Sequence, residues 1–306
     1  MARDYLSVDD LSAPELASVL SLAGKLKADR QMHADAFAGR SVALIFEKSS
    51  TRTRVSFEVG IAQLGGHPIT LSSGDLQLGR GETIEDTGRV LSRYVDAIVL
   101  RTFEQERLEA LADAASVPVV NALSDFEHPC QALADLLTID EHLGGVAGRV
   151  LTYVGDGNNV AHSLLLAGAK AAMTVRVATP VGFEPIPQIV ARAEEIAAQT
   201  GGSIEVGTDP AAAASGAHVL YTDVWASMGQ EAEVEERALI FRPYQLNESL
   251  IEAADEGVLV MHCLPAHRGE EISDRAIDGD RSVVFDQAEN RLHTQKALLV
   301  FLFGLA

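Results

Sequence analysis

Short apolar segments alternate with longer amphipathic ones along almost the whole chain, and this alternation restricts the fold more than any other feature. In the first half, Ser41–Phe46 and Ala97–Leu100 are apolar runs that predict buried strands, and Thr51–Leu64 between them predicts a helix. Continuous apolar strands separated by helices are typical of parallel sheets with both faces covered. The pattern therefore predicts an α/β fold.

Gly144 and Gly145 interrupt the alternation, and a second set of strands and helices follows them. A length of 306 residues also favours two domains rather than one. We predict two domains, each a parallel sheet flanked by helices. The strands predicted for the second set are Val150–Val154, Thr174–Ala178, Ser203–Val206, Val219–Tyr221, Gly257–Met261 and Ser282–Phe285, followed by a last helix over Gln287–Phe303.

The composition excludes several classes of protein. Lys and Arg number 24 against 44 Asp and Glu, which gives a net charge of −20 at pH 7. A chain this acidic does not suit general binding to nucleic acids or anionic membranes, since both need a basic face, but it can hold a small anion in a local basic pocket.

Cys130 and Cys263 are too few for a disulfide framework or a zinc cluster. Because no apolar stretch is long enough to span a bilayer, we expect a cytoplasmic protein.

Polar clusters follow the predicted strand ends in both halves of the chain. Ligands of open parallel sheets bind beyond the carboxyl ends of the strands. We therefore predict that one cleft between the two sheets gathers all of these clusters. They are Ser49–Arg54, Ser72–Arg80, Arg101 and His128–Gln131 in the first half, and Gly155–Asn159, Asp223–Gly229 and His262–Arg268 in the second.

The cluster Ser49–Arg54 joins a predicted strand to a predicted helix. Free backbone N–H groups at a helix N-terminus, together with hydroxyls and guanidinium groups, form an anion site. Two successive hydroxyl–arginine pairs favour phosphate binding over the alternative, an ordinary Ser/Thr cap with solvated arginines. Arg101 either adds a second guanidinium to this site or is a solvated charge at a strand end.

His128–Gln131 combines a proline at a predicted first helical position with two polar side chains three residues apart. Such a pair can donate hydrogen bonds to a carbonyl oxygen on which charge develops. From spacing alone, a structural His-Pro cap with a buried Cys130 is the better interpretation.

Two clusters in the second half suit an amino-acid ligand. Asp223 can hold an ammonium group, and Ser227 with nearby backbone N–H groups can hold a carboxylate; the alternative is a helix cap and a surface loop. Cys263 is either an inert buried thiol or a polar contact in the cleft. His262 and His267 alone are weak evidence for a metal site, because no further ligand stands at suitable spacing.

The segment Gly155–Val160 resembles half of a dinucleotide-binding motif. Val160 stands where a third glycine or alanine is expected, and the next strand supplies no acidic residue for a ribose. A tight turn that presents Asn159 at a helix start explains the glycines equally well. An NAD-dependent dehydrogenase is therefore disfavoured, and a non-catalytic binding protein with the same fold is the other alternative to an enzyme.

Taken together, these clusters resemble the motif set of the aspartate/ornithine carbamoyltransferase family over essentially the whole chain. Ser50–Arg54 and His128–Gln131 are similar to motifs shared by both branches of that family, and Ser72–Glu82 is also similar to the family. Ser227–Gly229 and His262–Pro265 resemble the ornithine branch.

This resemblance implies transfer of a carbamoyl group from carbamoyl phosphate to the δ-amino group of ornithine, giving citrulline and phosphate in arginine biosynthesis. It implies no metal and no organic cofactor. A carbamoyltransferase acting on aspartate or another amine is the alternative. The residues implied in carbamoyl phosphate binding are Ser50, Thr51, Arg52, Thr53, Gln77, Arg101, His128, Pro129, Cys130, Gln131, Cys263, Leu264 and Arg291. Those implied in ornithine binding are Asn159, Asp223, Ser227 and Met228, and the catalytic set is Arg52, Arg101, His128, Gln131, Asp223 and Cys263.

The resemblance also implies that each domain binds one of the two substrates. Residues 1–143 with 288–306 are expected to form the carbamoyl-phosphate-binding domain, with the C-terminal helix packing back on it, and residues 144–287 the ornithine-binding domain. A homotrimer is expected, in which Gln77 comes from a neighbouring subunit.

Overall fold

The computed structural model describes residues 3–72, 81–226 and 233–306. The chain divides into two compact units. The first comprises the residues up to Leu137 together with Glu289–Ala306, and the second comprises Thr138–Ala288. Within the described residues, no helix combines the length and the apolar character needed to cross a membrane.

The first unit is built on a parallel sheet of four strands in the order β2-β1-β3-β4. Strands β1 and β4 are almost fully buried, as expected for a sheet covered by helices. The strands are β1 (Ser41–Phe46), β2 (His67–Ser72), β3 (Ala97–Arg101) and β4 (Val119–Leu123), and the helices are α1 (Ala13–Ala28), α2 (Thr51–Gln63), α3 (Ile84–Leu91), α4 (Gln105–Ala114) and the first part of α5 (Pro129–Leu143).

The second unit is built on a parallel sheet of five strands in the order β7-β6-β5-β8-β9. Its helix α6 is buried along its entire length. The strands are β5 (Val150–Val154), β6 (Thr174–Ala178), β7 (Ser203–Gly207), β8 (Val219–Thr222) and β9 (Leu259–His262), and the helices are α6 (Asn159–Lys170), α7 (Pro187–Thr200), α8 (Pro210–Ala214), α9 (Val234–Phe241), α10 (Glu248–Ala253) and α11 (Asp274–Asp278).

The last helix, α12 (Val284–Leu302), begins in the second unit and ends in the first. Its C-terminal part packs on the first unit: Arg291 donates to the Thr53 hydroxyl at 2.7 Å, and the rings of Phe303 and Phe37 lie 4.8 Å apart. The predicted fold class, with two parallel sheets and a returning C-terminal helix, is confirmed.

Each sheet has one point at which the strand order reverses. In the first sheet this point lies between β1 and β3, and in the second it lies between β5 and β8. A crevice forms at such a reversal, because the connections on its two sides run in opposite directions, and ligands bind there beyond the strand ends. The segments that follow these four strands therefore hold part of the candidate binding residues of each unit.

One predicted strand is wrong. The prediction placed a strand over Ser282–Phe285, but only Ser282 forms an isolated bridge, to Val260, and α12 already begins at Val284. A four-residue apolar run suits a buried strand or the first turn of a buried helix equally well. Here the Val283 N–H bonds to the Val260 carbonyl at 3.0 Å, and Val284 packs in the core as part of the helix.

Gly157, in the turn after β5, is required by close packing. A Cβ at this position would lie 2.3 Å from the Pro185 backbone nitrogen and 2.5 Å from the Phe183 carbonyl oxygen. This close contact in a tight turn is sufficient to explain why position 157 is a glycine, so a dinucleotide-binding role is not needed to explain it.

We expect Gly157→Ala to lower the free energy of unfolding by about 2–4 kcal/mol, because backbone must shift to admit the methyl group. Urea denaturation measures the change. Gly207→Ala, in the same unit and with open space at its Cβ position, is the matched control and should change stability by less than about 0.5 kcal/mol. Equal stabilities of the two variants would contradict this explanation.

Candidate active site

The first unit places the predicted phosphate-binding residues at the reversal point between β1 and β3. Ser50 caps α2: its hydroxyl accepts from the Thr53 N–H at 3.2 Å, and the first N–H groups of the helix have no partner within it. Arg52 is half-buried and forms no ion pair with the described part of the chain. Arg54, in contrast, is 56% exposed and pairs with Glu58. The structure therefore distinguishes the two arginines of the motif, and Arg52 is the one available to an anion.

A buried lysine adds positive charge beside this turn. Lys48 lies between β1 and the Ser50 cap and is only 4% exposed. Its ammonium group pairs with Asp125 and lies 4.3 Å from the centroid of the Phe103 ring. Sequence reasoning missed Lys48, because its burial depends on residues that follow β3 and β4.

Three further residues of the predicted set lie close together in this unit. Arg101 ends β3, His128 precedes α5, and Arg291 comes from α12. Burial, together with the charges of Arg291 and Arg101, lowers the pKa of His128 well below its usual range. The imidazole is therefore neutral at pH 7 and can donate one hydrogen bond, while the two guanidinium groups supply the positive charge.

Gln131 and Cys130 follow His128 in the first turn of α5 and differ in what their side chains contact. The Gln131 amide is buried, and its nitrogen donates to Asp135 at 2.8 Å. Cys130 is fully buried, and its thiol donates to the Asn121 carbonyl oxygen at 3.3 Å. Burial raises the pKa of Cys130 to about 12, so this thiol is structural.

The two cysteines should therefore react differently with thiol reagents. Burial disfavours the thiolate of Cys130, which is the form that reacts, whereas Cys263 is half-buried. We expect one modified thiol per native chain, mapped by mass spectrometry to Cys263, and two after unfolding. Modification of Cys130 in the native protein would contradict its structural assignment.

The second unit places a carboxylate at its own reversal point. Asp223 directly follows β8 and is 6% exposed. One carboxylate oxygen accepts from the Cys263 thiol at 2.9 Å, and the other accepts from the Asn158 amide at 3.0 Å. Asn158 also caps α6 by accepting from the N–H groups of Val160 and Ala161. Strand ends β5, β8 and β9 thus converge on a single carboxylate.

An ion pair fixes the segment that begins α9. The Arg237 guanidinium pairs with Asp156, donates to the Trp225 carbonyl oxygen, and lies about 5 Å from the rings of Phe183 and Phe241. Burial raises the pKa of Asp156 to about 6 against the opposing charge of Arg237. The pair ties α9 to the turn that carries Asn158.

His262 holds the turn that carries Cys263. The Leu264 N–H donates to Nδ1 of His262 at 2.8 Å, so Nε2 carries the proton and donates to Glu271 at 3.1 Å. Asp223, His262 and Cys263 come close enough to bind a metal together. Both ring nitrogens of His262 are nevertheless engaged in hydrogen bonds, with the Leu264 N–H and with Glu271, and the Cys263 thiol donates a hydrogen bond to Asp223.

Two family models together match nearly the whole chain. One is described as the carbamoyl-P binding domain of aspartate/ornithine carbamoyltransferase and matches residues 3–141. The other is described as the Asp/Orn binding domain of the same enzymes and matches residues 147–302. The chain belongs to the aspartate/ornithine carbamoyltransferase family.

Individual members of the aspartate/ornithine carbamoyltransferase family are similar over their full lengths. The ornithine carbamoyltransferase of Parafrankia sp. is 64% identical over 98% of this chain and 96% of that protein. That of Acidothermus cellulolyticus is 59% identical over 100% and 98%. The solved structure of the ornithine carbamoyltransferase from Pyrococcus furiosus is 55% identical, covers 99% of this chain and 97% of that chain, and superposes with a TM-score of 0.95.

All but three of the predicted carbamoyltransferase residues lie within the described part of the chain. Gln77, Ser227 and Met228 lie outside the described residues. In the first unit the structure joins Ser50, Thr53 and Arg291 by hydrogen bonds, and it places His128 close enough to Arg101 and Arg291 for their charges to lower its pKa. In the second unit it brings Cys263 to Asp223, and Asn159 is buried at the start of α6.

Asn158 and Asp135 touch the predicted carbamoyltransferase set, and sequence reasoning did not assign either of them to it. Asn158 bonds to Asp223, and Asp135 bonds to Gln131. The second contact had a signal in the sequence, because residues four apart on a helix face the same side. The first had none, since Asn158 and Asp223 stand 65 positions apart.

Proposed function

We propose that this chain is an ornithine carbamoyltransferase, which transfers the carbamoyl group of carbamoyl phosphate to the δ-amino group of L-ornithine and releases L-citrulline and phosphate in arginine biosynthesis. The observation that carries the proposal is the carboxylate of Asp223, held by Cys263 and Asn158 at the reversal point of the second sheet. A buried negative charge favours a substrate with two amino groups over one with a second carboxylate.

We assign carbamoyl phosphate to the first domain, residues 1–143 with 288–306. The phosphate is held by the α2 N-terminus and its hydroxyls, and Arg52 and Arg101 neutralise the charge that grows on the leaving group. Neutral His128 donates to the carbamoyl oxygen, and Gln131 binds the carbamoyl amide. The proposed set is completed by Gln77, Pro129, Cys263, Leu264 and Arg291, and by Cys130 through its position in this turn, since its thiol is bonded to the Asn121 carbonyl oxygen.

We assign ornithine to the second domain, residues 144–287, with Asn159, Asp223, Ser227 and Met228 as its ligands. The δ-nitrogen must be neutral to attack the carbamoyl carbon, and a site shielded from water favours that form. The new C–N bond forms as the C–O bond to phosphate breaks, phosphate leaves with the bonding electrons, and the nitrogen gives up a proton. Because carbamoyl phosphate is already activated, holding the two substrates together accounts for much of the acceleration. The reaction needs no cofactor.

Citrulline formation tests the proposal. The purified protein should produce citrulline from carbamoyl phosphate and ornithine between pH 6 and 9, and aspartate should neither be carbamoylated nor compete with ornithine. Formation of carbamoyl-aspartate would favour the aspartate branch of the family instead. Failure to carbamoylate either amine across this pH range would overturn the proposal.

We further propose a cytoplasmic homotrimer in which Gln77 reaches the site of a neighbouring subunit. Apolar side chains exposed on the first unit suit a contact between subunits: Val55 and Val59 stand one turn apart on α2, and both are at least 39% exposed.

The mass in solution should be three times the 32.6 kDa of one chain. Co-assembly of inactive Gln77→Ala and Arg52→Ala subunits should restore activity, because some sites then receive both native residues; a monomer or a lack of restoration would contradict the shared site.

A further inference from the structure

Gln131 and Asp135 form a buried pair one turn apart on α5. Gln131 is 1% exposed and Asp135 is fully buried. The Gln131 side-chain nitrogen lies 2.8 Å from a carboxylate oxygen of Asp135. A carboxylate only accepts hydrogen bonds, so the NH₂ end of the amide must face Asp135. The carbonyl end, Oε1, must then point away from it.

The carbonyl oxygen of Gln131 is an acceptor without a donor. It is buried, and no group in the described part of the chain donates to it. A buried acceptor left unpaired is costly, so such an atom indicates a donor that a bound molecule can supply. The backbone N–H of Gln131 donates to the backbone carbonyl of His128 at 3.0 Å. Gln131 therefore belongs to the same turn as His128, whose pKa is lowered by the charges of Arg101 and Arg291.

We propose that Asp135 is a positioning residue, which holds the Gln131 amide so that its oxygen accepts from the carbamoyl NH₂ group and thereby selects carbamoyl phosphate over acetyl phosphate. This inference rests on the proposed function. Acetyl phosphate has the same carbonyl and phosphate but a methyl group in place of NH₂. A site built to bond an N–H discriminates against an analogue that lacks it, because its own polar group stays unpaired.

Asp135 acts by fixing which end of the Gln131 side-chain amide faces the ligand. If the amide turned over, its NH₂ group would face the NH₂ group of the substrate, and two donors would meet. Asparagine at position 135 has nearly the same shape but can donate or accept, so it no longer dictates which end of the Gln131 amide faces the ligand.

The test compares two constants measured on the same protein, the KM for carbamoyl phosphate and the inhibition constant of acetyl phosphate. Asp135→Asn should reduce the preference for carbamoyl phosphate, expressed as their ratio, by about tenfold. Gln131→Ala should reduce it similarly, and adding Asp135→Asn to Gln131→Ala should reduce it no further. Asp4→Asn is the matched control, since Asp4 accepts from the Val119 N–H at 2.7 Å in the same unit; its ratio should not change.

An exchange of the two groups provides the rescue. In the double variant Gln131→Glu with Asp135→Asn, the asparagine donates to the glutamate, whose second oxygen again faces the ligand as an acceptor. The preference for carbamoyl phosphate should return, although both ligands bind more weakly because a negative charge lies nearer the phosphate. This variant also tests the inference if Asp135→Asn alone does not fold.

The outcomes separate this inference from the function on which it rests. If the native protein forms citrulline but Asp135→Asn weakens both ligands equally, or the exchange does not restore the ratio, Asp135 is structural and the inference is overturned. If the native protein forms no citrulline, the proposed function fails first.

Discussion

Replacing Arg52 with alanine should lower kcat/KM for carbamoyl phosphate by about 10³-fold. Arg52 is half-buried at the start of α2 and has no ion-pair partner in the residues described, so its charge is available to the departing phosphate. The loss should exceed that of a simple binding contact, because charge on the phosphate grows as the C–O bond breaks. Steady-state kinetics with citrulline detection measures it, and the KM for ornithine should change little.

Two neighbouring variants make this prediction specific. Arg52→Lys keeps the charge but loses the bidentate fork, so it should recover only part of the activity. Arg54→Ala removes an equal charge two residues away on the same helix, but Arg54 is exposed and already paired with Glu58. It should lower kcat/KM by less than about threefold, in line with the small contribution of exposed pairs. Equal losses for Arg52→Ala and Arg54→Ala would contradict a distinct role for Arg52.

Asp223→Asn should lower kcat/KM for ornithine by about 10²- to 10³-fold. The native carboxylate accepts one hydrogen bond on each oxygen, from Cys263 and from Asn158. An amide presents a donor where one acceptor stood, so one bond is lost, and so is the charge that we propose holds an ammonium group of ornithine. The measurement is the pair of KM values, and only that for ornithine should rise.

The control for Asp223 lies at a helix cap in the same unit. Asp209 caps α8 by accepting from the N–H groups of Ala211 and Ala212, and asparagine caps as well as aspartate does. Asp209→Asn should leave both KM values unchanged. An equal rise of both KM values in Asp223→Asn would indicate general damage to the protein rather than a role in ornithine binding.

The sheets of this chain were predictable because a buried parallel strand leaves a local signature. The predicted strands Val150–Val154 and Thr174–Ala178 match β5 and β6 residue for residue. The signature fails where an apolar run is too short to show a period, as at Ser282–Phe285. It also says nothing about strand order, which sets the two reversal points.

The candidate site was predictable only in part, for a related reason. Residue types such as those of Ser50–Arg54 indicate chemistry by themselves. The contacts that select among them do not: the residue types alone give both arginines of the motif equal weight, only the family resemblance singles out Arg52, and the structure adds that Arg54 pairs with Glu58. The hydrogen bond between Asn158 and Asp223 forms because the ends of two strands lie side by side. Which strands are neighbours depends on the whole sheet and not on the local sequence.

We expect carbamoyl phosphate and ornithine to bind in one site, and a crystal structure with a bisubstrate analogue tests this expectation most directly. A phosphonoacetyl group joined to the δ-nitrogen of ornithine carries both substrates in one molecule and has no bond to phosphate oxygen that can break. We predict that its phosphonate contacts Arg52, its carbonyl contacts His128 and its ornithine part contacts Asp223 at the same time. A complex in which the analogue contacts only Arg52 or only Asp223 would contradict this expectation.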